Sequence, residues 1–132
     1  WIDALIKNQP VVIYGDGNTS RDFCFVQNIV QANLLAATCD NSDAWNKVYN
    51  IALGGRTTLN ELFALLQKLL SNDIPAVQNR RPIYEPFRPG DIRHSQADIS
   101  LAKKCLGYQP EFGLEDGLRA ALKWYCKQQT RG

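Results

Sequence analysis

Strands are what this sequence lacks. Residues 11–14 (VVIY) and 47–51 (KVYNI) have the β-branched and aromatic composition of buried strands, the first stopped by GDGN and the second by Gly54 and Gly55. A third run, RDFCFV from Arg21, reads as extended because Phe23 and Phe25 alternate with polar or small neighbours. Two or three isolated strands do not make a stable sheet, so the strands that complete one are expected to lie elsewhere.

Helical patterning fills most of the remainder. Ile2, Leu5 and Ile6 fall at helical spacing immediately after Trp1, which reads as the end of a helix exposed by cutting and hence as a fragment. A helix is predicted over about 28–38 with Ile29, Val30, Leu34 and Ala37 on its inward face. Thr58 and Glu61 form a T-x-x-E capping box, in which each side chain satisfies the other's exposed backbone amide at a helix start. The stripe Leu59, Leu62, Phe63, Leu66, Leu69 and Leu70 continues from it until Ser71, Asn72 and Asp73. Residues 74–89 hold four prolines and little periodicity, as in an extended connection over the surface. Asp98 then caps a short helix ending at Gly107, and a last helix over about 114–128 turns Leu114, Leu118, Ala121, Leu122 and Tyr125 inward. No internal repeat or low-complexity tract appears.

At 132 residues, 45% of them hydrophobic, the chain falls in the range of one globular domain, which excludes a disordered tail or a disulfide miniprotein. Its longest apolar runs are broken by Asn33, Gln67 and Lys68, far short of a bilayer span, so no membrane partner is expected. The start WIDALIKN carries no secretory signal. Cys24, Cys39, Cys105 and Cys126 form no CxxC pair and no Cys/His cluster, which signals neither zinc nor a redox dithiol and fits a reduced, cytoplasmic setting. The net charge of +2 argues against a nucleic-acid partner. Residues 80–94 alone carry that excess, with Arg80, Arg81, Arg88 and Arg93 against Glu85 and Asp91, and so suit one small anionic molecule better than a polyanion.

Two segments place arginine where packing explains it poorly. In GDGNTSRDF, residues 15–23, the glycines allow close backbone approach, and Arg21 leaves the loop as a forked cation suited to phosphate oxygens. The plainer alternative is a hairpin-like turn with Arg21 paired to Asp16 or Asp22. In FRPGDIRHSQADI, residues 87–99, Pro89 and Gly90 set a turn between Arg88 and Asp91. Such a pair could bind a phosphate and an adjacent ribose diol, or simply pair with itself. His94 has no partner acid or nucleophile at motif spacing and reads as a structural or surface histidine. Tyr14 ends a strand beside the glycine loop, where its ring is either core or a platform for a nucleobase.

In order and spacing, VVIYGDG, RDFCFVQNIVQANLLAA, VYNIALGGRTTLNEL, RPGDIRHSQADISLAKKCLGYQPEFGLEDGL and the final ALKWY resemble the C-terminal part of the extended short-chain dehydrogenase/reductase family, particularly UDP-hexose 4-epimerases. The resemblance covers nearly the whole chain, least clearly over residues 72–86. It implies an α/β fold in which residues 1–132 are the substrate-binding lobe, mostly helical with short strands, of a Rossmann-type enzyme whose N-terminal dinucleotide-binding half is absent. By position Tyr14 matches the residue beside the uracil and Val12 a neighbouring backbone contact. Arg21 and Arg88 match two diphosphate arginines, and Asp91 the acid near the ribose. Phe23 stands where many relatives have tyrosine, keeping a ring but losing its hydroxyl. Ser95 matches a size gate beside the sugar, and DIRHS looks like the subgroup acting on UDP-GlcNAc and UDP-GalNAc; the alternative for Ser95 is a cap on the turn before the helix.

The family's GxxGxxG fingerprint and YxxxK pair are both missing from these residues: none of the five tyrosines has a lysine four positions on. The resemblance therefore implies that NAD is bound by the absent half, that the intact protein is a homodimeric isomerase working through a transient 4-keto sugar, and that this piece clamps UDP. Alone it is expected to be inactive and to bind a UDP-sugar weakly. The alternatives are a related nucleotide-sugar dehydratase or decarboxylase, or a non-enzymatic nucleotide-binding module.

Overall fold

The capping box sets the most regular element. Thr58 Oγ1 accepts from the Glu61 amide at 3.1 Å while Glu61 Oε2 accepts from the Thr58 amide at 2.8 Å, and helix α3 runs from Leu59–Leu70 behind it. Its inward stripe buries Phe63, Leu66, Leu69 and Leu70. With Leu5, Val11, Ile13, Val77 and Leu122 these form the main core, each large side chain contributing about 1.5–3 kcal/mol by leaving water.

The computed structural model describes residues 1–129. In chain order the elements are α1 (Ile2–Ile6), β1 (Val12–Tyr14), β2 (Ser20–Arg21), α2 (Val26–Ala37), β3 (Thr57–Thr58), α3, β4 (Ile83–Glu85), α4 (Ser100–Leu106) and α5 (Leu114–Gln129), with 3-10 turns at Ser42–Ala44 and Pro75–Asn79. Helix α5 packs against α1 and α3. A second cluster joins α2 to α4 through Ala32, Ala52, Ile99, Ala102 and Tyr108. Strands β1 and β4 pair in parallel, Ile13 opposite Tyr84, and β2 and β3 pair antiparallel. The four cysteines are free, and among the described residues no helix is long and apolar enough to cross a membrane.

Four expectations are corrected. Residues 74–89 are not merely a connection, since they carry the turn at Pro75–Asn79 and β4, whose Ile83 amide reaches the Val11 carbonyl. Residues 47–51 form no strand, because among the described residues the amides of Val48, Tyr49, Asn50 and Ile51 meet no backbone carbonyl; Val48 is 91% exposed. Strand composition without a neighbour leaves an open segment. Helix α2 begins at Val26 and is turned away from its predicted face: Asn28 and Ala32 are buried while Ile29, Val30 and Leu34 are exposed. The setting is fixed by the Asn28 side chain, which donates to the Phe112 carbonyl at 2.8 Å and accepts from the Phe112 amide at 3.0 Å, and Ala32 is small enough to admit α4. Finally, Tyr125 on α5 is exposed rather than inward.

Candidate functional site

Strand β1 delivers Tyr14 to the mouth of the glycine loop, and the start of α3 holds that loop in place. Gly15 has φ +88° with the Phe87 ring lying where a Cβ would stand, so both conformation and space require glycine there. The Gly15 amide donates to the Glu85 carbonyl at 2.7 Å. Asn60 donates its backbone amide to Gly17 and its side-chain amide to the Asp16 carbonyl, while the Tyr84 hydroxyl donates to Asn60 Oδ1 at 2.9 Å. The Asn18 amide, helped by the Arg93 guanidinium 3.0 Å away, holds the Asp16 carboxyl below its usual range.

Ser20 is the seam between the two arginine segments. Its amide donates to the Arg93 carbonyl at 2.8 Å, its carbonyl accepts from the Ser95 amide at 3.1 Å, and its hydroxyl bonds His94 Nδ1 at 2.9 Å. Residues 93–95 thereby run alongside β2 through a single parallel bridge between Ser20 and His94. Arg21 braces itself on this seam, donating to its neighbour's carbonyl at 2.8 Å. On the other arm, the Asp91 amide reaches the Arg88 carbonyl at 3.3 Å and Gly90 sits at φ +85°, a type II turn with proline and glycine in their preferred positions. The Arg88 guanidinium lies 3.6 Å from the centre of the Tyr14 ring.

Val12, Tyr14, Arg21, Arg88 and Asp91 thus line one cavity of about 310 Å³, together with Trp1, Thr19 and Leu59. Arg21 pairs with neither Asp16 nor Asp22. Asp16 takes Arg93 instead, and Asp22 accepts the amides of Leu53, Gly54 and Ala97. Arg88 likewise stacks on Tyr14 rather than pairing with Asp91. Two residues fall outside the cavity. Phe23 lines a separate apolar groove with Trp1, Leu62 and Leu118, and Ser95 is exposed, held through its amide to the Ser20 carbonyl. Sequence reasoning missed Asn60, Tyr84 and Arg93 as loop supports and His94 as the partner of Ser20; only the Asp-Gly-Asn spacing, which closes on the Asn18 amide, carried a local signal.

The lining offers two guanidinium groups, a carboxylate and an aromatic face, a set suited to holding an anion attached to a ring and a diol. The loop after β1 leads into a strand rather than a helix N-terminus, so these residues do not build a dinucleotide cradle of the usual kind.

A sequence profile of the family described as GDP-mannose 4,6 dehydratase matches residues 2–121. A UDP-N-acetylglucosamine 4-epimerase from Methanobrevibacter ruminantium, solved with UDP-N-acetylmuramic acid, is 41% identical with a TM-score of 0.81 over 96% of this chain and 38% of its own. A UDP-glucose 4-epimerase from Thermotoga maritima, solved with UDP-glucose, is 35% identical with a TM-score of 0.85 over 97% of this chain and 38% of its own. A dTDP-glucose 4,6-dehydratase from Haemophilus influenzae is 35% identical over 94% of this chain and 38% of that protein. The chain therefore spans little more than a third of the length of these relatives. It belongs to the GDP-mannose 4,6 dehydratase family within the extended short-chain dehydrogenases/reductases, a family whose members act as nucleotide-sugar 4-epimerases and dehydratases.

Proposed function

We propose that this chain is the UDP-sugar-binding lobe of an NAD-dependent 4-epimerase that interconverts UDP-GlcNAc and UDP-GalNAc. The observation that carries the reading is the convergence of Tyr14, Arg21, Arg88 and Asp91 on one cavity from segments about 70 residues apart. The arginines neutralise the diphosphate, Asp91 accepts from the ribose hydroxyls, and Tyr14 with Val12 takes the uracil. Fixed charge of this kind holds the nucleotide while the sugar is free to turn, which contributes positioning rather than proton transfer. NAD and the acid/base residues belong to the part of the protein outside these residues. Ser95 lies outside that cavity, and the resemblance to the epimerases rather than the geometry assigns it to the sugar, where a small side chain leaves room for an N-acetyl group.

The test uses the full-length protein and UDP-GlcNAc. An epimer of unchanged mass is the expected product, and Ser95→Tyr is expected to depress activity on UDP-GlcNAc while sparing UDP-glucose. Full activity of Ser95→Tyr on UDP-GlcNAc would remove the acetamido assignment. A product lighter by one water would favour the second reading, a dehydratase, which the 35% identity to the Haemophilus influenzae enzyme supports.

A further inference from the structure

The Arg88 side chain is placed oddly for a group whose task is to meet phosphate. Its guanidinium lies face-on over Tyr14, 3.6 Å from the ring centre, on a cavity that both residues line. Among the described residues it makes no ion pair and no side-chain hydrogen bond: Asp91, three residues away, does not take it, and the Asp16 carboxylate is engaged by Arg93. The turn through Pro89 and Gly90 fixes the backbone at this point, so the side chain is free to swing while its root stays put. A base that stacks on this face of Tyr14 has to displace the guanidinium first.

We propose that Arg88 is a specificity-determining residue that covers the Tyr14 ring until a phosphate draws it off, so that the site favours a nucleoside diphosphate over the bare nucleoside. The inference rests on the diphosphate reading of the site. The two interactions that compete for Arg88 differ in strength. An exposed cation–π stack is worth about two- to fivefold in a binding constant. A charge-assisted bond to a phosphate oxygen is worth about tenfold or more, and the planar fork of arginine matches two oxygens at once. Uridine must displace the stack and offers the arginine no new partner in return. UDP displaces it and gains the stronger contact.

This argument predicts effects of opposite sign from one substitution. Calorimetric titration of the full-length protein carrying Arg88→Ala is expected to bind uridine about two- to fivefold more tightly than the unsubstituted protein and UDP about tenfold or more weakly. Arg88→Lys, which keeps the charge but stacks less well, is expected to bind uridine more tightly as well and to lose less UDP affinity than the alanine variant. Uridine affinity that is unchanged or weakened in Arg88→Ala, with UDP weakened, would overturn the cover while leaving the diphosphate site intact. Tighter uridine with unaltered UDP binding would overturn it too, since no phosphate then draws the arginine away. Failure of the unsubstituted protein to bind UDP would overturn the reading of the site together with this inference.

Discussion

Tyr108 shows how far one side chain can organise its surroundings. It is fully buried where α4 ends, among Ala32, Ala52, Ile99 and Ala102, and its hydroxyl donates to the Ala52 carbonyl at 2.9 Å. Tyr108→Phe leaves that carbonyl without a donor and is expected to destabilise the fold by about 1–2 kcal/mol, measured by urea unfolding. Burial, with Cys24 and Asp22 nearby, pushes the phenol up from 10.0 to about 12. The folded protein therefore keeps a proton that the unfolded chain releases, and this stabilisation is present below pH 10 and lost as pH rises toward about 12. Unfolding followed between pH 9 and pH 12 is expected to be less steep in Tyr108→Phe than in the parent chain. At this scale the sequence was a good guide to placement where local chemistry is distinctive: Arg21 and Arg88 stand out because glycine and proline turns present them, and both line one cavity. Ser20 and His94 do not, because their bond joins residues 74 positions apart and depends on a register that no local pattern encodes.

Among the elements, α3 depends most on its first turn. Thr58→Ala removes the acceptor for the Glu61 amide and is expected to cost about 1 kcal/mol of stability in thermal or urea unfolding. Donation from the Thr58 amide holds the Glu61 carboxyl below its usual 4.5. The carboxylate therefore stabilises the fold above that value, and the contribution is lost as pH falls through the lowered one. Glu61→Gln should show a shallower decline in stability on acidification, and an acid limb identical to the parent's would remove Glu61 from the account. Helices α3, α4 and α5 were legible because their periodicity is written locally, with the capping box that starts α3 and the Gly107 that closes α4 as further local signals. Helix α2 was legible as a helix but not in its orientation. Its apolar residues say that a face exists, whereas the Asn28 amide, bonded to Phe112 from 84 residues away, decides which face turns inward. The strand expected at 47–51 fails for the same reason, since its composition cannot supply a neighbour.

For the molecule as a whole, the segment around Val48 and one side of α2 are both left exposed. Val26, Val30, Leu34 and Val48 are exposed apolar residues, and among the described residues the amides of residues 48–51 have no backbone partner. If the proposed larger enzyme supplies strands that pair with this segment, hydrogen exchange of these amides is expected to be fast in the 132-residue chain and at least tenfold slower in a protein of its relatives' length; equal rates in the two would show that the segment stays open. Strands β1 and β4 contain three residues each but bring Val12 beside Ile83, and the Ser20–His94 seam closes a loop of similar length. Contacts so distant along the chain form only after the entropy of closing the loop has been met, whereas a capped helix needs only its own residues. Protection of the α3 amides is therefore expected to precede that of the Ser20 amide in pulse-labelled refolding. During synthesis α3 can form while residues 88–95 are still to be made, and the cavity that Tyr14 and Arg88 line, built from both sides of that loop, can be completed only after they emerge.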